Sequence, residues 1–416
     1  MNPQLLVASI LVILGIINSY KLHESIKLLM SMPKELNTDS EFVLLIPVLD
    51  EQSAVPKAIS RLDKISYPAK KLKIVFITTA KEKKIPNIPT TKQVLRKILP
   101  SDKGFISLHY PHASGVKADQ LNWAIRKLEK ENRIKRDTII GVYDIDSAFS
   151  PNSLQLVSKT VIDTNANVFQ QPSLYFRNWK HLSWLAKSSA LYQTTYGFYY
   201  EIPMWRNSQK TFGPMIYCNG HGMFVRHSFL KRVGYFPTPI EDTRFGHFCA
   251  FVGERVELIP LLDDCETTPS LSQRIKQASV WFSGDVQYLS AYKDSEKLGR
   301  LSLIKCVWLV TSKTYRTLVW MFQGFLLFLP FIIWKPFLLL FICIYFMLPP
   351  LELWRSKSTI SVLSGSSNEL KLPFISIILL PISALAKSIS PWYAIYRYLK
   401  SLLLKQPFLY PKTERQ

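Results

Sequence analysis

Two apolar runs, one near each end, constrain this chain more than anything else in it, because a soluble fold would have to bury both along their whole length. Leu5–Ile17 (LLVASILVILGII) carries no charge, and Leu318–Met347 is apolar apart from the break at Lys335-Pro336. A bilayer core takes about 20 apolar residues as helix, so both runs read as membrane segments. The first has no basic stretch before it, whereas Lys21, His23, Lys27 and Lys34 follow it. That flank fits a retained anchor better than a cleaved signal peptide and places the residues after it in the cytoplasm. Leu318–Trp334 is about as long as a bilayer core needs, and Pro336–Pro350 is shorter. A helical hairpin kinked at Lys335-Pro336 fits, with one long tilted helix as the alternative. Pro373–Leu385 is too short to span and reads as re-entrant or interfacial. From Arg355 to Gln416 nine Lys/Arg stand against two Glu. So basic a tail belongs on the cytoplasmic side, where one anchor plus a hairpin puts it, with the number of crossings open between two and four.

The formal charge of +22 would ordinarily suggest nucleic acid. In a chain tied to a bilayer, contact with anionic lipid accounts for it, and no nucleic-acid motif is present, so nucleic acid is not an expected partner. Lys70–Lys103, with ten Lys/Arg against two acids, reads equally as a solvated face or a lipid-facing patch. Ser356–Ser367 (SKSTISVLSGSS) is of low complexity and reads as a cytoplasmic loop. The five cysteines, Cys218, Cys249, Cys265, Cys306 and Cys343, are odd in number and form no CxxC pair. That argues against a disulfide framework or a structural zinc site and fits a reducing compartment. Cys218 and His221 have a ligand-like spacing without a second pair to complete it.

Between the apolar ends, strands and helices alternate from about Glu41 to Tyr292. Phe42–Leu49 (FVLLIPVL) and Leu72–Thr79 (LKIVFITT) are continuous apolar strands, Pro56–Leu62 begins a helix, and Ala118–Glu131 is an amphipathic helix. A third strand, TIIGVYDID, ends in Asp144 and Asp146. Continuous apolar strands separated by helices predict an α/β fold with a mostly parallel sheet covered on both faces, whose ligands bind beyond the carboxyl ends of the strands. The two aspartates fall there. An Asp-x-Asp in that place can hold a divalent cation through oxygen ligands, although strand ends and helix caps are rich in aspartate for structural reasons too.

Six other segments arrive in a fixed order around it. PVLDE (Pro47–Glu51) follows the first strand and KADQLNWAI (Lys117–Ile125) precedes the Asp-x-Asp strand. QQPSLYF, CNGHGMFVR, PIEDTRFG and QASVWFSG follow it. This order resembles the membrane-embedded family 2 glycosyltransferases, the group that includes cellulose synthase, hyaluronan synthase and ceramide glucosyltransferase. The resemblance implies a GT-A nucleotide-sugar-binding fold at 41–292, an anchor at 1–22, and interfacial helices, a transmembrane hairpin and a basic tail at 293–416. It also implies an integral protein of a bacterial inner or plasma membrane, its catalytic domain cytoplasmic.

By the same resemblance, Asp144 and Asp146 hold Mn²⁺ or Mg²⁺ with the donor diphosphate, and Pro47, Glu51, Thr78 and Lys117 belong to the donor side. Asp242 is the general base that deprotonates the acceptor hydroxyl, with Glu241 orienting it. Gly220, His221, Gly222, Gln277 and Trp281 lie by the acceptor and the diphosphate. The implied activity is inverting, metal-dependent transfer from a nucleotide sugar, with a UDP-sugar the expected donor, to a lipid, lipid-linked or glycan acceptor. A polyprenyl-phosphate sugar transferase shares the fold and the Asp-x-Asp, and a non-catalytic nucleotide-sugar-binding scaffold is the remaining alternative. Three departures stand out. Val280 replaces the arginine of the family's Gln-x-x-Arg-Trp, leaving Arg274 or Lys276 to supply a cation. Thr78-Thr79-Ala80 replaces the aspartate after the second strand, and Ile240 precedes the acidic pair where Thr is usual.

Overall fold

The computed structural model describes residues 3–32, 35–83, 85–100, 104–148, 150–208, 210–364 and 373–405. Its soluble centre is a seven-stranded sheet. In chain order the strands are β1 (Phe42–Pro47), β2 (Leu72–Thr79), β3 (Phe105–Tyr110), β4 (Ile139–Val142), β5 (Val168–Gln170), β6 (Ser173–Leu174), β7 (Met223–Arg226), β8 (Val256–Leu258) and β9 (Asp263–Asp264). The sheet order is β3-β2-β1-β4-β7-β5-β8, and β6 pairs with β9 in a separate two-stranded piece. β1, β2, β3 and β4 run parallel, as do β5 and β8, while β7 lies antiparallel between β4 and β5.

Phe42 to Leu45 of β1 and Ile139 to Val142 of β4 are all fully buried, as strands covered on both faces must be. β3 is different. Its sequence FISLHY alternates in polarity and buries only Leu108 and Tyr110, which suits the edge it occupies. The sequence reading passed over it for that reason, and it carried the third strand to Asp146, whereas β4 ends at Val142 and both aspartates lie in the turn beyond it.

Among the described residues, three helices are long and apolar enough to cross a membrane: Gln4–Ser31, Leu303–Ile332 and Leu338–Arg355. The first runs past the expected end of the anchor, and its Leu22, Ile26 and Leu29 are buried while Leu5, Ile10, Ile13 and Ile16 stay exposed. It packs against Leu338–Arg355, where His23 Nδ1 lies 2.9 Å from Glu352 Oε1. The helical path breaks near Lys335-Pro336, and the apolar helix before the break begins at Leu303 and includes Lys305, Lys313 and Arg316. Those charges hid the start of that helix in the sequence. Leu380–Leu403 forms a further helix that packs on Leu271–Asp285 and against the 3₁₀ turn Gln323–Phe328. The loop expected at Ser356–Ser367 is helical from Lys357 to Leu363, with Ile360 and Leu363 buried; 365–367 lie outside the described residues.

Candidate active site

Beyond β4 the chain turns at once. The Ser147 N–H donates to the Asp144 carbonyl at 3.1 Å, and Arg61 Nη2 donates to the Ile145 carbonyl at 2.6 Å. The turn presents Asp144 and Asp146 to a cavity of about 380 Å³. Lys117, Gly220, His221, Glu241, Asp242, Gln277 and Trp281 line the same cavity, so nine of the residues singled out by sequence meet in one place.

Lys117 ties two of the sequence segments together. It opens the helix Lys117–Lys130, whose start is fixed by Asp119 Oδ2 accepting the Val116 N–H at 2.8 Å. Its ammonium lies 3.0 Å from Asp144 Oδ1, 3.2 Å from Glu241 Oε1 and 2.7 Å from the Gly220 carbonyl. Burial alone would lower its pKa, but Asp144, Glu241 and Asp242 outweigh that and hold it above the ordinary lysine value.

The acidic pair opens the helix Glu241–Val252, where carboxylates are favoured by the unsatisfied N–H groups of the first turn. Asp242 Oδ1 accepts the Thr243 N–H at 2.6 Å and the Thr243 hydroxyl at 3.2 Å. Burial raises both carboxyls, Glu241 to about 7 even against the pull of Lys117. Gly220 sits across from them: a Cβ there would come 2.8 Å from Asp242 Oδ2 and 3.2 Å from Lys117 Nζ. Only glycine leaves room for the three groups to converge. Gly222 has φ +63°, the left-handed region that favours glycine, and the loop is braced by Gln170, which accepts the Asn219 N–H at 3.0 Å and donates to the His221 carbonyl at 2.9 Å.

His221 Nδ1 lies 2.9 Å from Asp263 Oδ2 and 3.3 Å from Cys265 Sγ. Burial would lower the imidazole pKa; Asp263 first, then Asp144 and Asp146, raise it. Cys218 is not part of this group: the cysteine beside His221 is Cys265, brought in by β9. The two carboxylates of the β4 turn fit a hard cation such as Mn²⁺ or Mg²⁺, whereas His221, Asp263 and Cys265, whose ligand atoms lie within 4.8 Å of one another, are a softer set.

Of the expected donor residues, Pro47, Glu51 and Thr78 stay off this cavity wall. Pro47 closes β1, the Glu51 N–H donates to Thr91 Oγ1 at 3.2 Å, and the fully buried Thr78 hydroxyl is used within the sheet, by the Leu108 carbonyl and His109. Arg274 does line the cavity, buried, with its guanidinium 4.5 Å over Trp281 and donating to Gln277 at 2.8 Å, while Lys276 points to solvent.

The cavity also reaches residues the sequence reading did not single out: Glu201, Lys313, Arg316, Trp320 and Lys387. Glu201 ends a π-helical turn, Gly197–Glu201, and accepts from Tyr217 Oη at 2.7 Å and Asn219 at 3.4 Å. The others come from the helices Leu303–Phe322 and Leu380–Leu403. For Lys313, Arg316 and Lys387 the signal was a charged side chain inside an apolar stretch, the pattern that marks function in membrane helices.

A family model described as glycosyl transferase family group 2 matches residues 139–354, more than half of the chain. Among solved structures, the mannosyltransferase PcManGT from Pyrobaculum calidifontis, in complex with GDP-Man and Mn²⁺, is 13% identical with a TM-score of 0.49; the match covers 92% of this chain and 99% of that one. TarS 1–349 of S. aureus in complex with UDP-GlcNAc is 12% identical with a TM-score of 0.43, covering 89% and 93%. No curated protein is a significant match in sequence.

Proposed function

The chain belongs to glycosyl transferase family group 2, and on that footing we propose that it is an inverting, metal-dependent glycosyltransferase acting at the cytoplasmic face of a membrane. It moves a hexose from a nucleotide sugar, a UDP-sugar in the first instance, to the hydroxyl of a lipid, lipid-linked or glycan acceptor. One observation carries this reading: Asp144 and Glu241 are held on one ammonium, Lys117, with Asp242 beside them facing Gly220. Two carboxylate sites that are far apart in sequence thus share a cavity, one suited to the donor and one to the acceptor.

The geometry supports a division of roles. Glu241 is committed to Lys117, which leaves Asp242, raised in pKa by burial, as the group able to take a proton at neutral pH. As the acceptor oxygen bonds to the anomeric carbon, its proton passes to Asp242 and the bond from that carbon to the diphosphate breaks, inverting the centre. Asp144 and Asp146 would hold the cation, which when bound neutralises charge on the leaving diphosphate. Lys117 is the protein's own cation beside Asp144. Trp281 offers an apolar platform for a sugar face.

The test is nucleotide release from UDP-, GDP- and dTDP-sugars by the purified full-length protein with Mn²⁺ or Mg²⁺ and a membrane lipid extract. Release of one nucleotide that requires metal and lipid, and that falls by about 10²–10⁴-fold in Asp242→Asn while donor binding persists, is the expected result. Unchanged turnover in Asp242→Asn would remove Asp242 from the role of base.

A further inference from the structure

The cavity has a second end, built by the membrane-side helices, and its charge is opposite to that of the first. Arg274, Arg316 and Lys387 line it and outnumber its free acid, Glu201, which acts on Arg274 and Lys387; among the described residues none of the three cations is within ion-pair distance of a carboxylate. Each instead lies over aromatic rings. Arg316 is 4.2 Å from the Tyr200 centroid, and Lys387 Nζ is 3.5 Å from Tyr196 and 5.5 Å from Trp320. The nearby Lys313 is already matched, by Asp285, which also accepts the Thr317 hydroxyl at 2.9 Å.

Aromatic faces return only about 0.5–2 kcal/mol per cation, less than it costs to withdraw three cations from water. A cluster left this way is balanced when an anion enters. Two guanidinium forks and an ammonium suit the several oxygens and multiple charge of a phosphate better than a single carboxylate. The position adds the second property. Arg316 and Trp320 belong to Leu303–Ile332, which is long and apolar enough to span a membrane, so a molecule reaching this end from the bilayer carries an apolar tail.

We infer that this end of the cavity docks the phosphate or diphosphate headgroup of a lipid-linked acceptor, holding it so that a hydroxyl beyond the headgroup reaches Asp242. The inference rests on the glycosyltransferase reading and narrows its acceptor to an anionic amphiphile.

The experiment is a binding series on the full-length protein in neutral detergent, with farnesyl diphosphate, farnesol, inorganic diphosphate and UDP plus Mn²⁺ as probes. The expected result is that farnesyl diphosphate binds at least about tenfold more tightly than farnesol and than inorganic diphosphate, since both headgroup and tail contribute. Arg316→Gln and Lys387→Met should each weaken farnesyl diphosphate about tenfold and leave UDP affinity unchanged. Equal binding of farnesol and farnesyl diphosphate overturns the inference, and that comparison needs no variant to fold. Full competition by UDP also overturns it, because the cluster would then serve the donor. Failure of UDP to bind would count against the glycosyltransferase reading itself, while the lipid series would still decide the headgroup site.

Discussion

The two ends of the cavity are built on opposite plans. At one end carboxylates from two sequence segments converge on a single ammonium, Lys117, supported by loops that follow the strands of a rigid sheet. At the other, cations without carboxylate partners lie on tyrosine and tryptophan rings carried by helices that pack against apolar helices. The first end is organised to keep its geometry before anything binds. The second has charge to spare. A site that must fix reacting atoms needs pre-set hydrogen bonds, and a site that must recognise a headgroup needs unspent charge in a place that water does not fully reach.

The largest effect expected from breaking this contrast is at the carboxylate end. Asp146→Ala should lower turnover on the order of a hundredfold or more, and chelation of divalent cations should do the same to the parent protein. Metal titration of both proteins checks it; a variant that keeps full activity and the same metal dependence would place the cation elsewhere. Gly220→Ala should cost roughly ten- to a hundredfold, because its methyl group displaces the Asp242 carboxylate and small misplacements at a reacting centre are expensive. Circular dichroism and nucleotide binding would show whether the fold and donor site survive.

A smaller but more diagnostic effect is the pH profile. The base must be ionised, and the buried pair titrates above the ordinary carboxylate range, with Glu241 near 7. Activity should therefore fall as the pH drops below about neutral, with an apparent value belonging to the pair. An acid limb at about 4, the value of a free carboxylate, would mean that the pair is not buried during turnover. The smallest change is expected far from the cavity. His23→Ala removes the contact to Glu352 and should lower stability by no more than about 1 kcal/mol, read as a small shift in melting in detergent, with nucleotide release unaltered.

The same contrast explains what could be read in the sequence. The carboxylate end was legible because its residues sit where regular elements end: Asp144 after a continuous apolar strand, Lys117 and Glu241 at the first residues of helices. Gly220 and Gly222 were visible as a pair in one loop, though not what each makes room for. The cationic end was obscured by a conflict between scales. Lys313 and Arg316 lower the local hydropathy, so the apolar run was read only from Leu318 and the start of the membrane segment was placed too late. In the fold Lys313 is matched by Asp285 and Arg316 by Tyr200, neither of which is near in sequence. Lys387 likewise read as the end of an apolar segment, whereas it sits within a continuous helix. Arg274 or Lys276 was expected to supply the cation missing at Val280; Arg274 lines the cavity and lies on Trp281, seven residues on along the helix. β3 escaped because an edge strand does not need the continuous apolar pattern of its neighbours.

The π-helical turn at Gly197–Glu201 has a consequence for sequence change in this chain. An extra residue in a single turn advances everything after it by about 100° around the helix axis. Removing one residue there would leave an ordinary helix, with Glu201 swung away from Tyr217 and Asn219 and Tyr200, which lies under Arg316, turned relative to Tyr192 and Tyr196, which lie by Lys387. Point substitutions would test these side chains one at a time. A one-residue deletion would change the facing of Tyr200 and Glu201 together, relative to the helix before them.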